Sequence, residues 1–152
     1  MKKNIILATL AALFFLSISH PSMGQELPAI RKEIEKDNAL YFRLFQNKDA
    51  AIVTLYTVDG ILLPPNAPAV SGRAALLKDF KAAYADTKLK GVKFSTSNVY
   101  GDGKLYLCEE GTWQVFNTNG SIIDTGKYLK LWKKTPEGWR IFRDIFNSDR
   151  KS

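Results

Sequence analysis

Asp144, Glu110 and Tyr41 are the residues of this 152-residue chain whose types and settings could move a proton. Asp144 lies in the run from Trp139 to Asn147, where large apolar side chains surround one carboxyl. Burial among them would raise its pKa toward the range that a general acid or base needs. Glu110 stands in a second apolar run and offers the same chemistry. Tyr41, between Leu40 and Phe42, could aim a hydroxyl donor into a cavity. Each has a plainer reading. Asp144 could pair with Lys127 across two strands, and Glu110 could make a similar ion pair. Tyr41 could be a core residue with its hydroxyl satisfied. Asp59 precedes Gly60, where turn formation accounts for it.

What the chain lacks narrows the chemistry further. Its one histidine, His20, falls in an N-terminal segment read below as a signal, so a mature form has no imidazole for catalysis or metal binding. Cys108 is the one cysteine, so no intrachain disulfide forms, and a small buried strand residue is its simplest role. No metal site and no cofactor are expected. The formal net charge is +7, with Lys2 and Lys3 inside the signal segment and the other basic residues spread along the chain. That dispersal argues against nucleic acid as a partner.

The elements that must position these residues follow from periodicity. Ile30, Ile34, Tyr41, Leu44 and Phe45 fall at helical spacing, predicting a first helix within 26–47. Asp49 caps a short second helix through Tyr56, which Asp59-Gly60 breaks, and Ile61-Leu62-Leu63 form a rim strand stopped by Pro64-Pro65. Ser71 starts a third helix carrying Leu76, Leu77, Phe80, Ala83 and Tyr84 on one side. Beyond it the period becomes two, and turns at Gly101-Asp102-Gly103, Asn119-Gly120 and Pro136-Glu137-Gly138 divide the rest into an antiparallel meander. A two-residue Asn119-Gly120 turn sets Trp113 opposite Gly126 and Gly111 opposite Tyr128, giving each glycine an aromatic cover. Continued through the last hairpin, that register puts Cys108, Glu110, Thr112, Lys127, Leu129, Leu131, Phe142, Asp144 and Phe146 on one face. Leu107, Glu109, Trp113, Tyr128, Lys130, Trp132, Trp139, Ile141 and Arg143 take the other. Both faces mix apolar and charged residues, so each is expected to have a partner: helices on one and a second subunit on part of the other.

Helices followed by a long curved meander is the element order of the nuclear transport factor 2-like fold, and three segments carry the likeness further. "YFRLFQNKDAAIVTLYTVDGILLPP", "SGRAALLKDF" and "GKYLKLWKKTPEGWRIFRDIFNSD" resemble the helix-helix-strand, Gly-Arg helix and C-terminal hairpin of SnoaL-like and ketosteroid-isomerase-like domains, most of all their exported members of unassigned reaction. The resemblance spans about residues 30–149. It implies an α+β cone, a curved antiparallel sheet wrapped around three N-terminal helices, with a pocket at the mouth. The expected lining is Tyr41, Phe45, Tyr56, Leu63, Phe80, Thr112, Leu129 and Phe142.

Ketosteroid isomerases place a tyrosine on the first helix eight positions before an aspartate, as Tyr41 and Asp49 stand here. Their general-base position corresponds to Pro64, and their second acid falls near Lys127 or Tyr128, so the steroid-isomerase mechanism does not carry over. Scytalone-dehydratase-like chemistry needs histidines. Limonene-epoxide-hydrolase-like chemistry needs two aspartates and an arginine on one pocket side, whereas adjacent Arg143 and Asp144 point to opposite faces. Polyketide-cyclase-like chemistry needs one acid in an apolar cavity, which Asp144 or Glu110 could supply.

The N-terminus adds a location. Lys2 and Lys3 followed by the apolar run 5–19, with small Ser22 and Gly24 before Gln25, read as a signal peptide over 1–24, cleaved near Gly24-Gln25. The remainder, 25–152, has the size of one domain, secreted or periplasmic and without a membrane anchor once cleaved. The leading expectation is an exported homodimer that binds a small, mostly apolar ligand. The alternatives are a cofactor-independent isomerase, cyclase, dehydratase or hydrolase using a pocket carboxylate, and a structural dimerisation module with a filled cavity.

Overall fold

The computed structural model describes residues 23–150, so the stretch expected to be a signal lies, up to residue 22, outside the described residues. The long first helix, α1 (Met23–Gln46), buries Ile30, Ile34, Asn38, Tyr41 and Phe45, a stripe at 3.6-residue spacing whose middle member is polar. A 3₁₀ helix (Ala50–Leu55) follows, its first turn capped by Asp49, whose carboxylate accepts from the Ala51 amide at 2.8 Å. It ends one residue earlier than the sequence reading. Tyr56 is already extended and opens β1 (Tyr56–Leu63), so Asp59-Gly60 lies inside a strand, at an irregular stretch of its pairing, instead of breaking a helix.

After the two-residue β2 (Val70–Ser71), α2 (Gly72–Ala85) buries Leu76, Phe80 and Tyr84. Ser71 occupies the cap position but makes no side-chain cap bond. Arg73 anchors the helix by donating through Nε and Nη2 to the Tyr56 carbonyl at 3.0 and 2.6 Å. The meander comprises β3 (Leu89–Gly101), β4 (Tyr106–Asn117), β5 (Ile122–Thr135) and β6 (Gly138–Ser148). Strand order is β2-β1-β6-β5-β4-β3, with β1 parallel to β6 and every other pairing antiparallel. The result is an unclosed curved sheet holding both helices in its hollow. β1 is therefore no free rim strand, because β6 and β2 flank it.

The β4–β5 register is the expected one, with Trp113 opposite Gly126 and Gly111 opposite Tyr128. A Cβ on Gly126 would run into the Asn147 carbonyl and the Trp113 ring, and one on Gly111 would meet the Ser95 carbonyl and the Tyr128 ring. Both glycines make room for an aromatic ring lying across the sheet. Gly126→Ala is expected to lower stability by about 1–3 kcal/mol, the usual cost of overpacking against backbone, as urea denaturation would report.

The last hairpin departs from simple alternation. Leu131 pairs with Arg143, but Trp132 pairs with Ile141, so Phe142 is an extra residue in β6. Phe142 and Arg143 both face outward, the guanidinium 3.6 Å from the ring centre. Every later residue of β6 is thereby moved to the opposite face from the one simple alternation assigns. Asp144 and Phe146 turn inward, and Asp144 stands opposite Lys130 instead of near Lys127.

Candidate functional site

Three charged residues are buried inside this fold: Glu109 and Lys130, fully enclosed, and Asp144 at 3% exposure. They come from β4, β5 and β6, at cross-strand pairs Glu109–Lys130 and Lys130–Asp144 on the inner face. Glu109 is held by four donors. Its Oε1 accepts from Asn38 Nδ2, Thr96 Oγ1 and Tyr128 Oη at 2.7, 2.7 and 2.6 Å, and its Oε2 from Trp132 Nε1 at 2.9 Å. Such a shell of donors suits a carboxylate, which when ionised only accepts. Asn38 turns its carbonyl oxygen to Lys130 Nζ at 2.9 Å, so one amide joins the acid and the base. The ammonium also lies 3.2 Å from the Phe94 ring centre and 4.8 Å from that of Tyr128, an aromatic setting that favours a cation. Burial still pulls the Lys130 pKa down, against the opposing pull of Asp144 and Glu109.

Asp144 is placed differently. Its Oδ2 accepts from Tyr56 Oη at 2.9 Å, while Oδ1 is buried without a partner. Burial pushes its pKa upward, and Lys130 and the Tyr56 hydrogen bond oppose that shift. Asp144 lines a cavity of about 270 Å³ between the helices and the sheet. The remaining wall is mostly apolar: Tyr41, Phe45 and Phe80 from the helices, with Phe94, Trp113 and Phe146 from the sheet. Leu62, beside Asp144 in the parallel β1–β6 pair, closes one side. Tyr41 packs edge-on against Phe80 and Phe94, and burial followed by the charge of Asp144 holds its phenol well above the ordinary value. Burial and Asp144 do the same to Tyr56. Both phenols therefore stay protonated as donors.

The site residues expected from sequence divide accordingly. Tyr41, Phe45, Phe80 and Asp144 meet at the cavity. Tyr56, expected in the lining, instead donates to Asp144 and orients it. Glu110 points away from this cavity. It accepts from Asn98 at 2.9 Å and Tyr100 at 2.8 Å on the exposed face, and these two bonds hold its carboxyl below the usual value. It is the neighbouring Glu109 that faces inward. Thr112, Leu129 and Phe142 all belong to the outer face by the strand alternation. Leu63 lines a separate open groove of about 800 Å³ with Pro64, Pro65, Leu129 and Ile145, so the "LLPP" segment divides, Leu62 to the cavity and the rest to the groove. Glu109 and Lys130 were missed as a pair, although the Trp113–Gly126 register already makes them cross-strand neighbours among aromatics. Among the described residues no cluster of histidine, cysteine or carboxylate side chains could hold a metal ion.

These features define a fold: a nuclear transport factor 2-like, or cystatin-like, α+β cone with two carboxylates and one ammonium buried in its hollow. Solved structures agree on the fold. An NTF2-like protein with a cystatin-like fold from Novosphingobium aromaticivorans superposes with a TM-score of 0.69 at 21% identity, covering 91% of this chain and 94% of its own. A ketosteroid isomerase-like protein from Erwinia carotovora atroseptica gives 0.63 at 20%, covering 84% and 98%. A domain of unknown function with a cystatin-like fold from Nostoc punctiforme gives 0.70 at 10%, covering 81% and 79%. No family model and no curated protein matches the sequence.

Proposed function

We propose that this protein binds a small, mostly apolar molecule in the inner cavity, with Asp144 Oδ1 as the polar anchor. One observation carries the reading: Asp144, with a buried carboxylate oxygen that has no partner, lines a cavity whose wall is mostly aromatic and aliphatic. Leaving such an atom unsatisfied is costly, and a ligand donor would remove the cost. The cavity volume lies just under the range of about 300–1,000 Å³ typical of drug-sized ligands, which suits a molecule of about one ring. The basic and then apolar N-terminus supports export of the protein, so that binding would occur outside the cytoplasm.

Native mass spectrometry of wild type and Asp144→Asn, both purified without denaturation, tests the anchor. Wild type should retain a small molecule that the variant loses by at least about tenfold, the effect of one charge-assisted hydrogen bond. Equal occupancy would mean the ligand is held elsewhere. The raised carboxyl of Asp144 also favours a second reading, cofactor-independent proton transfer as in an isomerase or cyclase. Incubating the recovered molecule with each protein separates the two: a product formed by wild type alone establishes turnover, and return of the molecule unchanged leaves binding only.

Exposed Leu129 and Ile145 on the outer groove support pairing of two copies through that face. Sedimentation at micromolar concentration should give the mass of a dimer, and a monomer would contradict this part of the reading.

A further inference from the structure

The charge around the inner cavity does not balance. Among the described residues the buried charged groups are two carboxylates, Glu109 and Asp144, and one ammonium, Lys130, which leaves one uncompensated negative charge among them when all three are ionised. Glu109 already has four donors, and Lys130 is turned to Asn38 and Phe94. The uncompensated charge therefore falls on Asp144, a residue of the cavity lining whose Oδ1 is buried without a partner. Two further carboxylates border the same space. Asp124 is matched by Arg150 at 3.2 Å. Asp79, exposed on α2, is in none of the ion pairs formed among the described residues. Among the described residues no lysine or arginine lines the cavity, although the chain as a whole is strongly basic. The six rings of the wall present π faces and edges to whatever enters, and cations are held well by such faces.

We propose that the molecule bound in this cavity is a cation, a small aryl- or alkylammonium whose N–H reaches Asp144 while its apolar body packs on the rings. This rests on the binding reading above and names the class of ligand. An ammonium restores neutrality to the buried cluster, gives Asp144 Oδ1 its missing donor and passes Asp79 at the rim on entry. A carboxylate ligand would instead add a second uncompensated negative charge to the interior, which a site of low dielectric opposes strongly.

The test is a titration of the full protein with benzylamine, benzyl alcohol and benzoate at pH 7, followed by calorimetry or by tryptophan fluorescence. Benzylamine should bind about tenfold tighter than benzyl alcohol, the usual difference between charge-assisted and neutral hydrogen bonds, and benzoate should bind weakest. In Asp144→Asn the ratio of amine to alcohol should fall to about one. Asp79→Asn, on an exposed position that leaves the fold untouched, should lower the ratio by a smaller factor. Alcohol binding as tightly as the amine, or benzoate binding tightest, overturns the charge inference while the binding reading stands. Failure of all three probes to bind overturns both.

Discussion

Replacing Glu109 with glutamine is expected to lower the free energy of unfolding by about 3–5 kcal/mol, the range for removing one member of a buried charge cluster. The change removes a single charge and almost no volume. The amide, however, cannot accept at both ends. Turned one way it sets its NH₂ against the indole N–H of Trp132, which can only donate, and turned the other way against the Asn38 amide, which could offer its oxygen only by releasing Lys130. Lys130 meanwhile loses one of its two buried anions. Urea denaturation followed by tryptophan fluorescence would measure the loss. A change under about 1 kcal/mol would show that Glu109 is not the centre of the network.

Lys130→Met should cost a similar amount near neutrality, about 3–5 kcal/mol, with a pH dependence that identifies the cause. Without the ammonium, two buried carboxylates are left on either side of β5 with no counter-charge between them, and the pKa of Asp144 rises further than burial alone has raised it. The sign follows from linkage. An acid whose folded pKa exceeds its unfolded value takes up protons preferentially in the folded state, so stability falls as pH rises from about 4, the ordinary aspartate value, through the raised folded value. The deficit of Lys130→Met relative to wild type should therefore be smaller at pH 5 than at pH 8. Denaturation curves at the two pH values would show it, and a deficit independent of pH would assign the effect to packing instead of charge.

The fold was legible in the sequence because its signals are local and repeated. The apolar stripe of α1, the Asn119-Gly120 turn and the glycine–aromatic pairs Gly126–Trp113 and Gly111–Tyr128 each fix part of the architecture without knowledge of the rest. The site depended on one residue that alternation cannot foresee. Phe142 is apolar and fits a regular strand, yet it is bulged, and this one insertion carries Asp144 from the outer face to the inner and exchanges its partner from Lys127 to Lys130. Asn38 left a different trace. It interrupts the helical stripe at the position where an aliphatic residue would be expected, and that polar gap marks where the helix meets Glu109 and Lys130. Choosing between Glu109 and Glu110 required only that the register already read from Asn119-Gly120 be followed to the aromatic face.

The claim on which the rest depends is that the hollow between Phe80, Trp113 and Asp144 admits a ligand. Two-dimensional NMR of the protein titrated with 4-ethylphenol, one ring with one donor, addresses it directly. The account predicts saturating shifts at Ala83, Phe94, Val115 and Asp144, with Leu129 and Ile145 unchanged. Shifts confined to Leu129 and Ile145, or none that saturate, would contradict it.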